Sequence, residues 1–356
     1  MKHRLDRLYS KLQNKDITAF IINNISNIFY ISGFTGTAGI IILTPEDCFF
    51  LTDSRYLEQA AEETTGFEIV EIKRENRLET ISDLLSDTEV SELAFEADTV
   101  SFKKYSEYQN NFTGIELKPA ENIVGELRMV KEEEEIERIS QAVKIADCAF
   151  EHILDYIKPG ISEKEIALEL EYFMKQQGGE KNAFDFIVAS GPRSALPHGR
   201  ATDRKVQPNE FITMDFGTKY RGYCSDMTRT VYVGSPSAED KKIYQTVLEA
   251  HRKVIEKIRA GMTCGEADGL ARNLIEENGY GDNFSHTLGH GVGIDIHEAP
   301  RLSGSSDQKL VKNMVVTDEP GIYLTEKKGV RIEDDLVITE SGCKVLNNTN
   351  KELIVL

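Results

Sequence analysis

Leu5, Leu8 and Leu12 recur at helical spacing among charged residues, so the chain opens on an amphipathic helix with one apolar stripe. The run ITAFII (17–22) that follows is short and β-rich, the pattern of a buried strand. From 29 to 56, FYISGFTGTAGIIILTPEDCFFLTDSRY alternates apolar runs with glycine- and proline-bearing turns, which predicts a meander of three strands. Helical periodicity returns at 54–64, 77–86 and 101–111, interleaved with apolar stretches at 67–72 and 93–97. Such alternation of helices and strands predicts a three-layer α/β domain.

Near residue 128 the pattern changes. A long helix follows, with the acidic run Glu132–Glu135 read as its solvated first turn, where the macrodipole favours negative charge, and with Pro159-Gly160 as its stop. Ser162 and Glu165 form a capping-box pattern that opens a second helix at 162–178, and further helices are predicted at 239–259 and 265–278. Strands are predicted at 184–189, 210–217, 222–233, 314–319 and 330–338. The reading is therefore α+β, with an N-terminal α/β domain at 1–128 and a second domain at 129–356 whose antiparallel sheet is backed by helices. The sequence shows no short-period repeat and no low-complexity segment.

Composition narrows the function. A net charge of -18 opposes any affinity built on neutralising phosphates, so no nucleic-acid partner is expected. Cys48, Cys148, Cys224, Cys264 and Cys343 are scattered, odd in number and without CxxC spacing, which predicts reduced thiols rather than disulfides or a structural zinc site. The N-terminus lacks a signal-peptide core and no later stretch stays apolar for about 18 residues, so no membrane partner is expected and a cytoplasmic location is.

The acidic residues carry the first hint of chemistry. Asp215 and Asp226 are equidistant from Tyr220-Arg221, so a symmetric hairpin would set them directly opposite one another. Two carboxylates about 5 Å apart repel by about 3 kcal/mol at an effective dielectric near 20, a cost that a cation would relieve. The alternative is that one lies in the turn while the other pairs with Arg221 or Arg229. The pattern repeats: Glu319 and Glu333 are equidistant from Glu326, in a second charged turn. Histidines cluster in SHTLGHGVGIDIHEAP (285–300) and ALPHG (195–199), where Gly289, Gly291 and Gly293 oppose a helix and indicate close backbone approach. His3, His152 and His251 sit in charged helical contexts and are assigned to the surface, and Cys224 is read as a small buried residue. GFTGTAG does not match a nucleotide-binding glycine pattern and is read as a tight turn.

FDFIVASGPRSALPHG, MDFGTKYRGYCSDMTRT, HTLGHGVGIDIHEAP, TDEPGIY and RIEDDLVIT, in that order, resemble the pita-bread-fold metallopeptidases, with Xaa-Pro dipeptidases (prolidases) and Xaa-Pro aminopeptidases most alike in pattern. FYISGFTGTAG and LTDSRY are similar to the creatinase/prolidase N-terminal domain. The resemblance implies five metal ligands: Asp215, Asp226, His290, Glu319 and Glu333. It implies two divalent ions, and the donor set suits Mn²⁺, with Co²⁺ or another divalent ion as the alternative. Creatinase lacks this ligand set, and methionine aminopeptidases generally lack the N-terminal domain. Asp318 departs from the usual apolar residue or Asn before the ligand Glu; it would either tune the metal or face solvent.

Two ions about 3.5–4 Å apart activate a water and polarise a scissile carbonyl. The catalytic candidates are Glu319 as proton carrier and His198 and His297 as donors to the developing oxyanion. His286 would line the substrate pocket, and Arg331 would orient Glu333 or meet a substrate carboxylate. The expected activity is hydrolysis of the Xaa-Pro bond in dipeptides and in some longer peptides, by a homodimer. The alternatives are an aminopeptidase acting chiefly on longer peptides, or a silent peptidase-fold binding protein.

Overall fold

The computed structural model describes residues 2–88 and 90–356, which divide into two compact units, Met1–Arg128 and Met129–Leu356. The first unit runs α1 (Lys2–Asn14), β1 (Phe20–Ile22), α2 (Ile25–Ser32), β2 (Ile40–Leu43), β3 (Cys48–Thr52), α3 (Leu57–Glu63), β4 (Glu68–Glu71), α4 (Arg77–Ser86), β5 (Glu92–Glu96), α5 (Phe102–Asn111), β6 (Glu116–Ala120) and α6 (Ile123–Arg128). Its sheet has the order β4-β3-β2-β1-β5-β6, and β2 alone runs against the others. Ile21, Ile42 and Leu51 pack with Ile81 and Leu85 of α4 and Tyr108 and Phe112 of α5. Phe20, Ile22, Ile41 and Leu43 on the alternate face are also fully buried, as a mostly parallel sheet requires.

One expectation fails here. The β-rich FYIS ends α2 instead of forming a strand, because Asn24 caps that helix, accepting from Ser26 N and Asn27 N at 2.9 and 3.2 Å. Gly33, at φ 81°, closes it by donating to Phe29 O. Caps and packing override the β propensity of Ile, Phe and Tyr.

The second unit contains α7 (Glu133–Tyr156), α8 (Glu163–Gln176), β7 (Ile187–Ser190), β8 (Glu210–Phe216), β9 (Lys219–Tyr220), β10 (Tyr223–Cys224), β11 (Met227–Val233), α9 (Ala238–Lys257), α10 (Cys264–Glu277), β12 (Gly289–Gly291), β13 (Glu298–Leu302), β14 (Val315–Asp318), β15 (Gly321–Leu324), β16 (Lys328–Arg331), β17 (Asp334–Ile338) and β18 (Cys343–Val345). Every strand pair in it is antiparallel. Glu135 is not solvated as the acidic run suggested: it is buried, completes the α7 capping box and accepts from Tyr223 Oη at 2.9 Å.

Two cores divide this unit. Helices α7 and α8 pack on the sheet β11-β8-β7. Helices α9 and α10 pack largely on β13-β12-β14-β17-β18 and the β15–β16 hairpin. The halves share a local plan. IKPGISEKE (157–165) and IRAGMTCGE (258–266) each turn through a left-handed glycine, Gly160 or Gly261, and then cap the next helix with a Ser162–Glu165 or Thr263–Glu266 box. Each glycine N–H donates to a distant carbonyl, Val206 O or Leu310 O. This duplication lies at too long a spacing to register as a short repeat.

Candidate metal centre

The two predicted acid hairpins form, with one correction. In the first, Thr228 stands opposite Asp215 and Tyr223 opposite Tyr220, so the turn is Arg221-Gly222 rather than Tyr220-Arg221. Both turn residues have left-handed φ, 47° and 81°, and Gly222 supplies the second of these at little cost. Asp226 therefore lies two residues from the position opposite Asp215: the acids are diagonal neighbours on one face, not directly opposed. In the second hairpin Asp318 pairs with Asp334 on one side and Gly321 with Arg331 on the other. That register sets Glu319 opposite Glu333 at the break between β14 and β15, with Glu326 at the turn in left-handed conformation (φ 59°).

His290 enters from β12, which lies between β13 and β14. A Cβ on Gly289 would lie 2.2 Å from Thr317 O and one on Gly291 2.3 Å from Ala299 O, so the glycines flanking His290 let neighbouring strands close on it. Its Nδ1 lies 3.1 Å from Gly291 O, which leaves Nε2 for the acids, at 3.6 Å from both Asp226 Oδ2 and Glu319 Oε1. One donor atom each from Asp226, His290 and Glu333 lie within 4.8 Å of one another.

Asp215, Asp226, His290, Glu319 and Glu333 all line one cavity of about 650 Å³, together with His198, His286, His297 and Arg331. Burial pushes the Asp226 and Glu319 carboxyls well above the usual carboxylate range, and Glu333 adds to both shifts as a like charge. Burial, then Asp215, raises Glu333 to about 8. Burial also raises Asp215, against the pull of Arg331, and Asp215 Oδ1 is buried without a hydrogen-bond partner among the described residues. Four crowded carboxylates, an orphaned oxygen and an imidazole with a free lone pair fit hard divalent cations. His290 is lowered to about 4 by burial and His297, so it is neutral, as a ligand must be.

Around these donors stands a network that joins the expected Arg331 and His286 to hydroxyls that the sequence patterns did not expose. Arg331 donates to Asp215 Oδ2 at 2.5 Å, to Tyr323 Oη at 2.8 Å, to Pro197 O at 3.0 Å and to Thr228 Oγ1 at 2.9 Å. It thus holds Asp215 directly and reaches Glu333 only through Thr228, whose hydroxyl donates to Glu333 Oε2 at 2.6 Å. Tyr323 Oη also meets His286 Nε2 at 2.9 Å, and His286 Nδ1 meets Thr287 O at 2.8 Å. Burial and Arg331 lower His286 to about 4, so this ring is neutral. Thr317 Oγ1 accepts from His290 N at 3.0 Å and reaches Glu319 Oε1 at 3.4 Å. His198 and His297 are exposed at the cavity, and neither side chain has a hydrogen-bond partner among the described residues.

Two residues sit elsewhere than the sequence suggested. His251 is fully buried, not on the surface, because it faces the sheet between Asp318 and Asp334. Asp318 is likewise fully buried, which excludes the solvent-facing alternative. Cys224 is buried as expected, and all five cysteines are free.

Residues 137–340 match the sequence pattern of metallopeptidase family M24. The chain belongs to that family. Ahead of the M24 region, residues 4–130 match the creatinase/prolidase N-terminal domain. A Xaa-Pro dipeptidase of Pyrococcus furiosus is 40% identical over 356 residues, spanning 99% of this chain and 100% of that protein. The solved structure of a Xaa-Pro dipeptidase from Bacillus anthracis matches with a TM-score of 0.97 at 43% identity, covering 100% of this chain and 99% of the other. An X-Pro aminopeptidase from Thermotoga maritima matches with a TM-score of 0.89 at 42% identity, covering 96% and 98%. The expected architecture, a creatinase/prolidase N-terminal domain followed by an M24 pita-bread domain, is therefore met. No helix among the described residues is long and apolar enough to cross a membrane.

Proposed function

We propose that this M24 chain hydrolyses the Xaa-Pro bond of dipeptides, and of some longer peptides, with two divalent ions held by Asp215, Asp226, His290, Glu319 and Glu333. The observation that carries this reading is the convergence of these five donors on one cavity that His198 and His297 also line, the His297 ring edge-on to that of His290 at 4.3 Å. Mn²⁺ is the preferred ion, with Co²⁺ the alternative, because the donors are four carboxylates and one imidazole. When bound, such ions supply a nucleophilic water at neutral pH and polarise the scissile carbonyl.

The side chains account for the other demands of the reaction. Glu319, which lines the cavity beside the other proposed ligands, would carry a proton from the attacking water to the leaving nitrogen. His198 and His297 offer N–H groups to the oxyanion. His286, tied to Tyr323, forms a fixed wall of the pocket. The bond before proline is a tertiary amide without N–H, so selection rests on shape, and Phe184, Ile187 and Ile296 give the cavity an apolar surface for the ring. Arg331 is spent on Asp215, Tyr323, Pro197 and Thr228. The substrate carboxylate is therefore assigned to Arg301, which lines the cavity and has no ion pair among the described residues.

Rates on Ala-Pro and on a longer Xaa-Pro peptide, with Mn²⁺ before and after chelation, test this. Hydrolysis of both, faster on the dipeptide and abolished by chelator, is the expected result. No hydrolysis with metal, or full activity without it, sinks the reading. Arg301→Ala should cost the dipeptide about ten-fold in kcat/KM and the longer peptide less, since its carboxylate lies further away. Greater activity on the longer peptide would favour the aminopeptidase reading, which likeness to the Thermotoga maritima structure supports. A homodimer enters this reading from the family resemblance and a cytoplasmic setting from the ordinary composition of the chain; sedimentation velocity checks the first.

A further inference from the structure

Behind the pair Glu319 and Glu333 lies a second acid pair, Asp318 and Asp334, opposed in the β14–β17 ladder one step away. Successive strand residues face opposite sides, and neither rear acid lines the cavity. Both are fully buried. Two opposed buried carboxylates need a counter-charge, or one must take a proton or move away.

His251 of α9, also fully buried, spans them. Its Nδ1 lies 2.8 Å from Asp318 Oδ2 and its Nε2 3.0 Å from Asp334 Oδ2. Asp334 has two further cations, Arg229 Nη2 at 2.6 Å and Lys351 Nζ at 3.1 Å. Asp318 has no other ionic partner among the described residues, and neither of its oxygens nor His251 Nδ1 completes a hydrogen bond there, so the 2.8 Å approach of His251 is a contact of charges rather than an aligned hydrogen bond. Arg229 also donates to the main-chain oxygens of Thr228 and Glu333, so the cationic cluster grips the backbone of a proposed ligand from behind.

We infer that His251 is a positioning residue of the metal centre, a charged clamp across Asp318 and Asp334 that fixes how Glu319 and Glu333 face each other. The inference rests on the metal-binding reading above. Burial opposes charge on the ring, but Asp318 and Asp334 outweigh it and raise its pKa to about 9, so one imidazolium stands between two carboxylates at neutral pH. The clamp does from the rear what a metal ion does in front. Without it the two strands would separate or rotate where the ligands sit.

Mn²⁺ titration calorimetry at one fixed neutral pH, on the full chain, tests this. The samples are wild type, His251→Gln and the double variant His251→Gln/Asp318→Asn, each also melted in chelator. The single variant should bind Mn²⁺ about ten- to a hundred-fold more weakly. The double variant removes one rear acid together with its counter-charge, and should recover to within about five-fold of wild type, which lost packing alone would not allow. Unchanged affinity in the single variant, or equal weakness in both, overturns the inference. Should His251→Gln not fold, His251→Asn takes its place: binding weakened at least about ten-fold supports the clamp, and unchanged binding overturns it. A wild-type chain that binds no Mn²⁺ overturns the metal-centre reading and the clamp with it, whereas normal wild-type binding and an indifferent His251→Gln overturn the clamp alone.

Discussion

Two backbone carbonyls decide the state of the imidazoles: His290 Nδ1 meets Gly291 O and His286 Nδ1 meets Thr287 O. A carbonyl only accepts, so each ring donates from Nδ1 and presents a lone pair at Nε2. For His290 that lone pair faces the acids, and for His286 it accepts from Tyr323, which in turn accepts from Arg331. Tyr323→Phe breaks this relay while leaving the five proposed ligands in place. The expected outcome is a fall of about ten-fold in kcat with two Mn²⁺ still bound per chain, checked by steady-state kinetics and elemental analysis. The five proposed ligands were legible through the resemblance of MDFG, CSDMTRT, GHGVG, DEPG and RIED to the family's motifs. Tyr323, Thr228 and Thr317 gave no such signal, since a hydroxyl is ordinary in any strand. His251 was misread from its neighbours Arg252 and Lys253, although Val247, Leu248 and Val254, at helical spacing from it, are all buried and mark the inward face.

Among elements, the hairpins show what spacing can and cannot determine. Counting from Glu326 gave the Glu319–Glu333 register correctly, because that turn is centred on a residue in left-handed conformation. The same count failed by one position at Arg221-Gly222, since a two-residue turn of that kind takes its glycine second. Parity survived the slip, so Asp215 and Asp226 still share a face. The helix α2 was missed because an N-cap and a C-cap separated by one short apolar run look much like a strand between turns. Strand β12 was foreshadowed only by its glycines. Gly291→Ala should cost about 2–3 kcal/mol of stability, read in urea unfolding, and should weaken Mn²⁺ binding, because the new Cβ would press on Ala299 O. A variant as stable as wild type would show that β12 and β13 can part without loss.

At the scale of the whole molecule, the net negative charge is shared evenly by the two units, but four acids of the second, Asp215, Asp226, Glu319 and Glu333, are gathered in one cavity. Burial and mutual repulsion raise the Asp226 and Glu319 carboxyls well above the usual carboxylate range and lift Glu333 to about 8. Metal binding requires them ionised, so uptake must release protons. Apparent Mn²⁺ affinity should therefore rise as pH goes from 6 to 8 and level off above, with proton release visible as a buffer-dependent heat in calorimetry. Heats independent of the buffer would mean that the acids are already ionised.

The duplicated plan of the second unit has a consequence for what the ions hold together. Asp215 and Asp226 belong to the half built on α7 and α8, while His290, Glu319 and Glu333 belong to the half built on α9 and α10. Neither half owns a complete set. The proposed chemistry is thus a property of the seam, and an ion held by these five residues would be a rivet between two look-alike modules, so that prying the modules apart should disarm the peptidase even while each module keeps its own core.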